Sequence, residues 1–117
     1  MEIESKSVLY DIQQAVNLIS QFTRGAGFTD YEDNAMMRSA VERQFEIIGE
    51  AVNRLSEFNP ALALRISERR RIINFRNQLI HGYSVVDDRV VWDVIQTKLP
   101  ILAEEVRTML QEAGGTK

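Results

Sequence analysis

The chain has 117 residues, 44% of them hydrophobic, no cysteine, and a formal charge of −3 at pH 7. That length suits one domain spanning residues 1–117 with one core, and the missing cysteines exclude disulfides, thiolate metal sites and cysteine nucleophiles. The acidic balance argues against a whole-surface positive field for nucleic acid, and no stretch has the 18 or so apolar residues that a membrane span needs.

The opening residues, "MEIESKSVLY", are polar and lack a signal-peptide core, so a cytoplasmic protein is expected. Apolar residues then recur at three- and four-residue steps, and alternating strand patterns are nearly absent. A first helix is expected from about Glu4 to Thr23, with Val8, Ile12, Ala15, Val16, Ile19 and Phe22 as its buried stripe. "RGAGFTD", residues 24–30, is its stop, where glycine can take the left-handed cap geometry. A long second helix should run from Asp30 or Asp33, either of which can cap it, to Phe58, burying Met37, Val41, Phe45, Ile48, Val52 and Leu55. Pro60 ends it, because proline disfavours helix in the residue before it. Residues 60–67 read as a short turn. A third helix, from Ser67 as its cap to His81, carries Ile72, Phe75, Leu79 and Ile80, with Gly82 as its stop. Asp87 or Asp88 caps the last segment, which carries Val91, Trp92, Ile95, Leu99, Leu102, Val106 and Met109. Pro100 lies inside that pattern and predicts a break near residues 96–99. The whole reads as an all-α protein, an antiparallel bundle of four to five helices.

Chemistry concentrates in "RNQLIHGY", residues 76–83, which holds the only histidine. No metal-ligand spacing surrounds His81, so neither a metal nor a cofactor is expected; "GAG" lacks the strand and lysine of a phosphate loop. Histidine can take the proton of a ribose 2′-hydroxyl or return one to the leaving oxygen. Arginine presents a planar cationic fork to a phosphate. Asn77 can position the imidazole, and Tyr83 can stack on a base. Together these residue types suit metal-free RNA cleavage. They also suit an ordinary helix end closed by glycine. Arg76 and His81 lie five residues apart, a rotation of roughly 140° on an ideal helix. They can meet only if the helix unwinds near Gly82 or if two copies share a cleft. Upstream, five arginines (65, 69, 70, 71 and 76) stand against Glu68 alone within residues 65–81, a local basic patch on an acidic protein.

"RNQLIHGY" matches the R-x4-H-x-Y pattern of HEPN-domain proteins. With "VERQFEIIGEAVNRL" before it and "VVWDVIQTKLPILAEEV" after it, nearly the whole chain resembles the HepT-like toxin branch of that superfamily. The resemblance implies a homodimeric toxin that cleaves RNA without metal, with Arg76 and His81 lining a cleft between protomers and Asn77 as their polar neighbour. It also implies a minimal nucleotidyltransferase as antitoxin partner, able to transfer AMP to Tyr83. One departure stands out. The family often has a proline–tryptophan pair at the start of the motif helix, where this chain has Glu68 and Arg69. The Arg69, Arg70 and Arg71 cluster so created is a candidate RNA contact. A second reading keeps the same motif in a non-catalytic helical partner that serves the nucleotidyltransferase as AMP acceptor or scaffold.

Overall fold

A computed structural model describes residues 1–81 and 86–114. Among these residues seven helices form: α1 (Ile3–Phe22), α2 (Phe28–Asp33), α3 (Ala35–Phe58), α4 (Pro60–Ala63), α5 (Arg69–His81), α6 (Asp88–Thr97) and α7 (Leu99–Gly114). The described residues contain no strand. The thinnest dimension is 19 Å, about the depth of two helices of roughly 10 Å each.

The long pair α1 and α3 makes the centre, and their predicted stripes do the packing. Val8, Ile12, Ala15, Val16 and Ile19 face Val41, Ile48, Val52 and Leu55, all buried. α7 closes over α1, and α6 packs against α7. α1 ends at Phe22 and the chain turns away at Gly25, whose φ of +76° is left-handed, while the Thr23 hydroxyl donates to the Ile19 carbonyl at 2.9 Å. The joint after α3 is tied down by Asn59. Its amide oxygen accepts from the Leu62 N–H at 3.2 Å, and its Nδ2 donates to the hydroxyl of buried Ser5 at 3.1 Å. Pro100 separates α6 from α7 as its position in the pattern requires, and Asp87 caps α6 by accepting from the Arg89 N–H at 2.9 Å.

Two expectations are corrected. The second helix does not run unbroken from Asp30 or Asp33: Asn34 adopts an extended conformation (φ −115°, ψ 96°) and caps α3 by accepting from the Met37 N–H at 3.0 Å. The break turns the short α2 inward, where Tyr31 is fully buried with its ring centroid 5.5 Å from that of Trp92. Nor does Ser67 cap the third helix. The first backbone bond of α5 runs from Ile72 to the Glu68 carbonyl, and the Ser67 N–H donates to the Glu105 carboxylate of α7 at 3.2 and 3.3 Å.

α5 differs from its neighbours. None of its side chains is fully buried. It packs chiefly on α3, with Ile72, Phe75 and Leu79 half-buried and Ile80 exposed. Phe75 meets Phe45 edge-on at 5.2 Å.

Candidate active site

The motif helix is seated on α3 by a glycine. A Cβ at Gly49 would lie 2.2 Å from the Arg76 Cβ, 2.7 Å from its Cγ and 3.3 Å from the Ile72 carbonyl oxygen. Carbon atoms attract best at about 3.5–4.0 Å, so only the absence of a side chain lets the two helices approach this closely. Glycine inside a helix is about 1 kcal/mol worse than alanine, and here the close approach is its packing reason.

Gly49 delivers the stem of Arg76 to the surface of α3, and the next residue receives its head. Arg76 Nη2 donates to the Glu50 carboxylate, and Nη1 donates to Asn77 Oδ1 at 3.0 Å. Arg76 Nε is buried without an acceptor among the described residues. The structure therefore brings Arg76 and Asn77 together and adds Glu50. It does not bring His81 into the cleft that Arg76 lines within one chain. α5 is regular through His81, which is exposed at the helix end and does not line the cleft that Arg76 lines. The angular separation of an ideal helix is thus kept. Tyr83 and Gly82 lie outside the described residues.

That cleft, about 330 Å³, lies where α3 and α5 meet α1. Arg43, Glu46, Glu50 and Arg54 enter it from α3, Arg76 and Ile80 from α5, and Asp11 from α1. Its α3 residues were not singled out by the sequence reading. Their signal is spacing: residues 43, 47, 50 and 54 step by four, three and four along one face, beside the apolar stripe of residues 41, 45, 48, 52 and 55.

The basic patch is dispersed. Arg65 makes a two-pronged pair with Glu112 at 2.8 and 2.9 Å, which raises the arginine pKa and lowers that of the carboxyl. Arg71 lies 3.6 Å from Glu68, which also reaches Lys98 at 3.8 Å. Arg71 rims a different cavity, an apolar groove of about 250 Å³ between α5 and α6 that includes Phe45, Ile72, Phe75 and Val94. Arg69 is half-buried and Arg70 exposed. None of Arg69, Arg70 and Arg71 lines the Arg76 cleft. Among the described residues no group of three histidine, aspartate or glutamate side chains could hold a metal ion, and no helix is long and apolar enough to cross a membrane.

A second polar cluster surrounds Tyr31. Arg38 and Asp88 pair at 3.8 Å. Burial, reinforced by Asp88, pushes the neighbouring Glu42 carboxyl above its ordinary range, and burial raises the Tyr31 hydroxyl as well.

Comparison with known proteins bears on this arrangement. A family model described as ribonuclease HepT-like matches residues 12–109. A Thermococcus cleftensis protein named a probable ribonuclease HepT is 36% identical over 102 residues, covering 87% of this chain and 92% of its own. A Methanocaldococcus jannaschii protein, named as a candidate RNase, is 32% identical over 105 residues, covering 86% and 92%. Another candidate RNase, from Caldanaerobacter subterraneus, is 30% identical over 104 residues, covering 89% and 92%. No solved structure matches. The all-helical fold, the seated Arg76 with His81 at the end of the same helix, and the family match across most of the sequence lead to one assignment: the chain belongs to the ribonuclease HepT-like family of the HEPN superfamily.

Proposed function

We propose that this chain is a metal-independent endoribonuclease that works as a homodimer, with Arg76 and His81 at the cleavage site. The observation that carries the reading is Arg76 itself. It is a cation on the motif helix, held at one end by Glu50 and Asn77 and open to a cleft, five residues before an exposed histidine. The chemistry follows from these groups. His81 takes the proton of a ribose 2′-hydroxyl, and the 2′-oxygen attacks the adjacent phosphorus. The bond to the 5′-oxygen breaks, leaving a 2′,3′-cyclic phosphate and a 5′-hydroxyl once that oxygen is protonated. Arg76 stabilises the charge that builds on the phosphoryl oxygens. The ribose supplies the nucleophile, so the reaction calls for no metal-activated water.

Two features support a dimer. Arg76 and His81 point in different directions on one regular helix, so a shared cleft can combine one protomer's arginine with its partner's histidine. α5 also keeps half-buried aromatic and aliphatic residues beside an open apolar groove, the kind of surface that marks an interface. Within a toxin–antitoxin pair, the partner is a minimal nucleotidyltransferase. It transfers AMP from ATP to the Tyr83 hydroxyl, releases pyrophosphate, and places an anionic group two residues from His81. The Arg69, Arg70 and Arg71 cluster supplies outer contacts to RNA.

Incubating the purified protein with single-stranded RNA in the presence of EDTA tests the reading. The parent should cleave; His81→Ala and Arg76→Lys, which keeps charge but loses the planar fork, should not. Cleavage undiminished in both variants would end the catalytic assignment. With the nucleotidyltransferase and ATP, Tyr83→Phe should lose the AMP mass gain; a gain that persists places the modification elsewhere.

A further inference from the structure

The cleft beside Arg76 holds an arginine that the catalytic reading leaves unused. Arg54 stands on α3 one turn beyond Glu50, the residue that grips Arg76, and lines the same cleft. It is exposed and makes no hydrogen bond or ion pair among the described residues. Two of the carboxylates beside it in the cleft are otherwise engaged, while Glu2, Glu4 and Glu57 share a second hollow with Arg54 and make no ion pair to it among the described residues. Glu50 is bound to Arg76, and Glu46 to Arg43 at 3.3 Å. Asp11 lines the cleft from α1 without an ion pair to Arg54. Arginines and carboxylates are equal in number here, so the cleft has no strong net field, and Arg54 is the cation within it that stays uncommitted.

The geometry suits a strand rather than a small anion. Residues 50 and 54 are separated by about 6 Å along the helix axis, which sets Arg54 one step along α3 from the point where Arg76 is held. An extended nucleic-acid backbone presents successive phosphates at a comparable reach. A phosphate at Arg76 would therefore have its neighbour over Arg54, and Ile80 lines the same cleft.

We propose that Arg54 is an RNA-binding residue that holds the phosphate next to the one engaged by Arg76, so that the strand runs along the α3 face. The inference rests on the ribonuclease reading and adds a direction to it: the substrate lies along α3. Arg54 takes no part in bond breaking.

The salt dependence of binding isolates this role, because each phosphate contact adds about 0.7 to the slope of log affinity against log salt for a single strand. A fluorescent single-stranded RNA is titrated against the full-length His81→Ala protein, which binds without cutting, between 50 and 200 mM salt. Adding Arg54→Ala should lower the slope by about 0.7, so that the affinity lost over that fourfold salt range shrinks by about 2.6-fold. Arg54→Lys should keep most of the slope. Arg24→Ala removes a cation outside the cleft and should leave it unchanged. Thermal unfolding of each variant checks that the exposed substitution leaves the fold intact. A slope unchanged in Arg54→Ala, with RNA still bound, overturns this proposal and leaves the ribonuclease reading standing. A drop of equal size in Arg24→Ala overturns it too, by assigning the effect to net charge. No salt-sensitive RNA binding in the His81→Ala protein would remove the ribonuclease reading and this inference with it.

Discussion

Replacing Gly49 with alanine adds one methyl group at the point where the motif helix rests on α3. The added carbon would sit 2.2 Å from the Arg76 Cβ, so a contact of about 3.5 Å needs the helices to part by about 1.3 Å. The obstruction is the base of the side chain together with the Ile72 carbonyl at 3.3 Å. Neither can swing aside as a side-chain tip would, and the helix must move. Overpacking of this kind costs about 1–3 kcal/mol, and alanine's better helix propensity returns about 1 kcal/mol. The net loss of about 0–2 kcal/mol should lower the melting temperature by at most several degrees. Catalysis should suffer more. A displacement of about 1 Å at a reacting group can cost about 100-fold in rate, and Arg76 is the residue displaced. The expected outcome is a folded protein, by circular dichroism and thermal melt, whose RNA cleavage falls by about 100-fold. Full cleavage at the parent's melting temperature would refute the reasoning, because it would show that Gly49 is not what fixes Arg76.

Glu50→Gln keeps an acceptor for Arg76 but removes the charge. The pair is partly exposed, so stability should change by less than about 1 kcal/mol, while kcat for RNA cleavage falls roughly tenfold, the equivalent of about 1.4 kcal/mol in the barrier; an unchanged kcat would remove Glu50 from any positioning role. Asn34→Ala removes the α3 cap and should cost about 1 kcal/mol in urea unfolding; no loss would mean that the Met37 N–H finds an equally good partner in water. Burial and Asp88 hold the Glu42 carboxyl above its ordinary value of 4.5, so the folded state binds that proton more tightly than the unfolded state does. The contribution is fully present below the unfolded value and is lost as pH rises through the raised one. Glu42→Gln should therefore be more stable than the parent at pH 7, with the advantage disappearing below about pH 4; a gain that is the same at both pH values would point to packing instead of ionisation.

Much of this architecture was legible in the residues. The stripes of α1 and α3 follow from three- and four-residue spacing, and Pro100 breaks the last segment because no helix interior accommodates its ring easily. The start of α3 was harder. Asp30, Asp33 and Asn34 can all cap a helix, and the choice among them is decided by the burial of Tyr31 against Trp92, a contact between residues far apart in the chain. Ser67 looked like a cap for a similar reason, but Glu105, also remote in sequence, captured its N–H. At the site, the rotation between Arg76 and His81 could be worked out from helix geometry, and the structure keeps it. Glu50 and Arg54 could not be picked out, because periodicity shows which residues share a face of α3 and says nothing about which helix meets that face. Gly49 was visible as a mid-helix glycine, but its meaning needed the neighbour that fills the missing Cβ.

The absence of any fully buried side chain on α5 has a thermodynamic consequence. An element held by half-buried contacts to one neighbour opens at a lower free-energy cost than the rest of the fold, so its backbone amides should exchange with solvent ahead of those of α1 and α3. Any chain that binds over α5 stabilises the closed form by mass action. In the proposed homodimer, order in the motif helix becomes a function of protein concentration: a dilute protomer would spend more of its time with α5 loosened, and accumulation of the protein would tighten it.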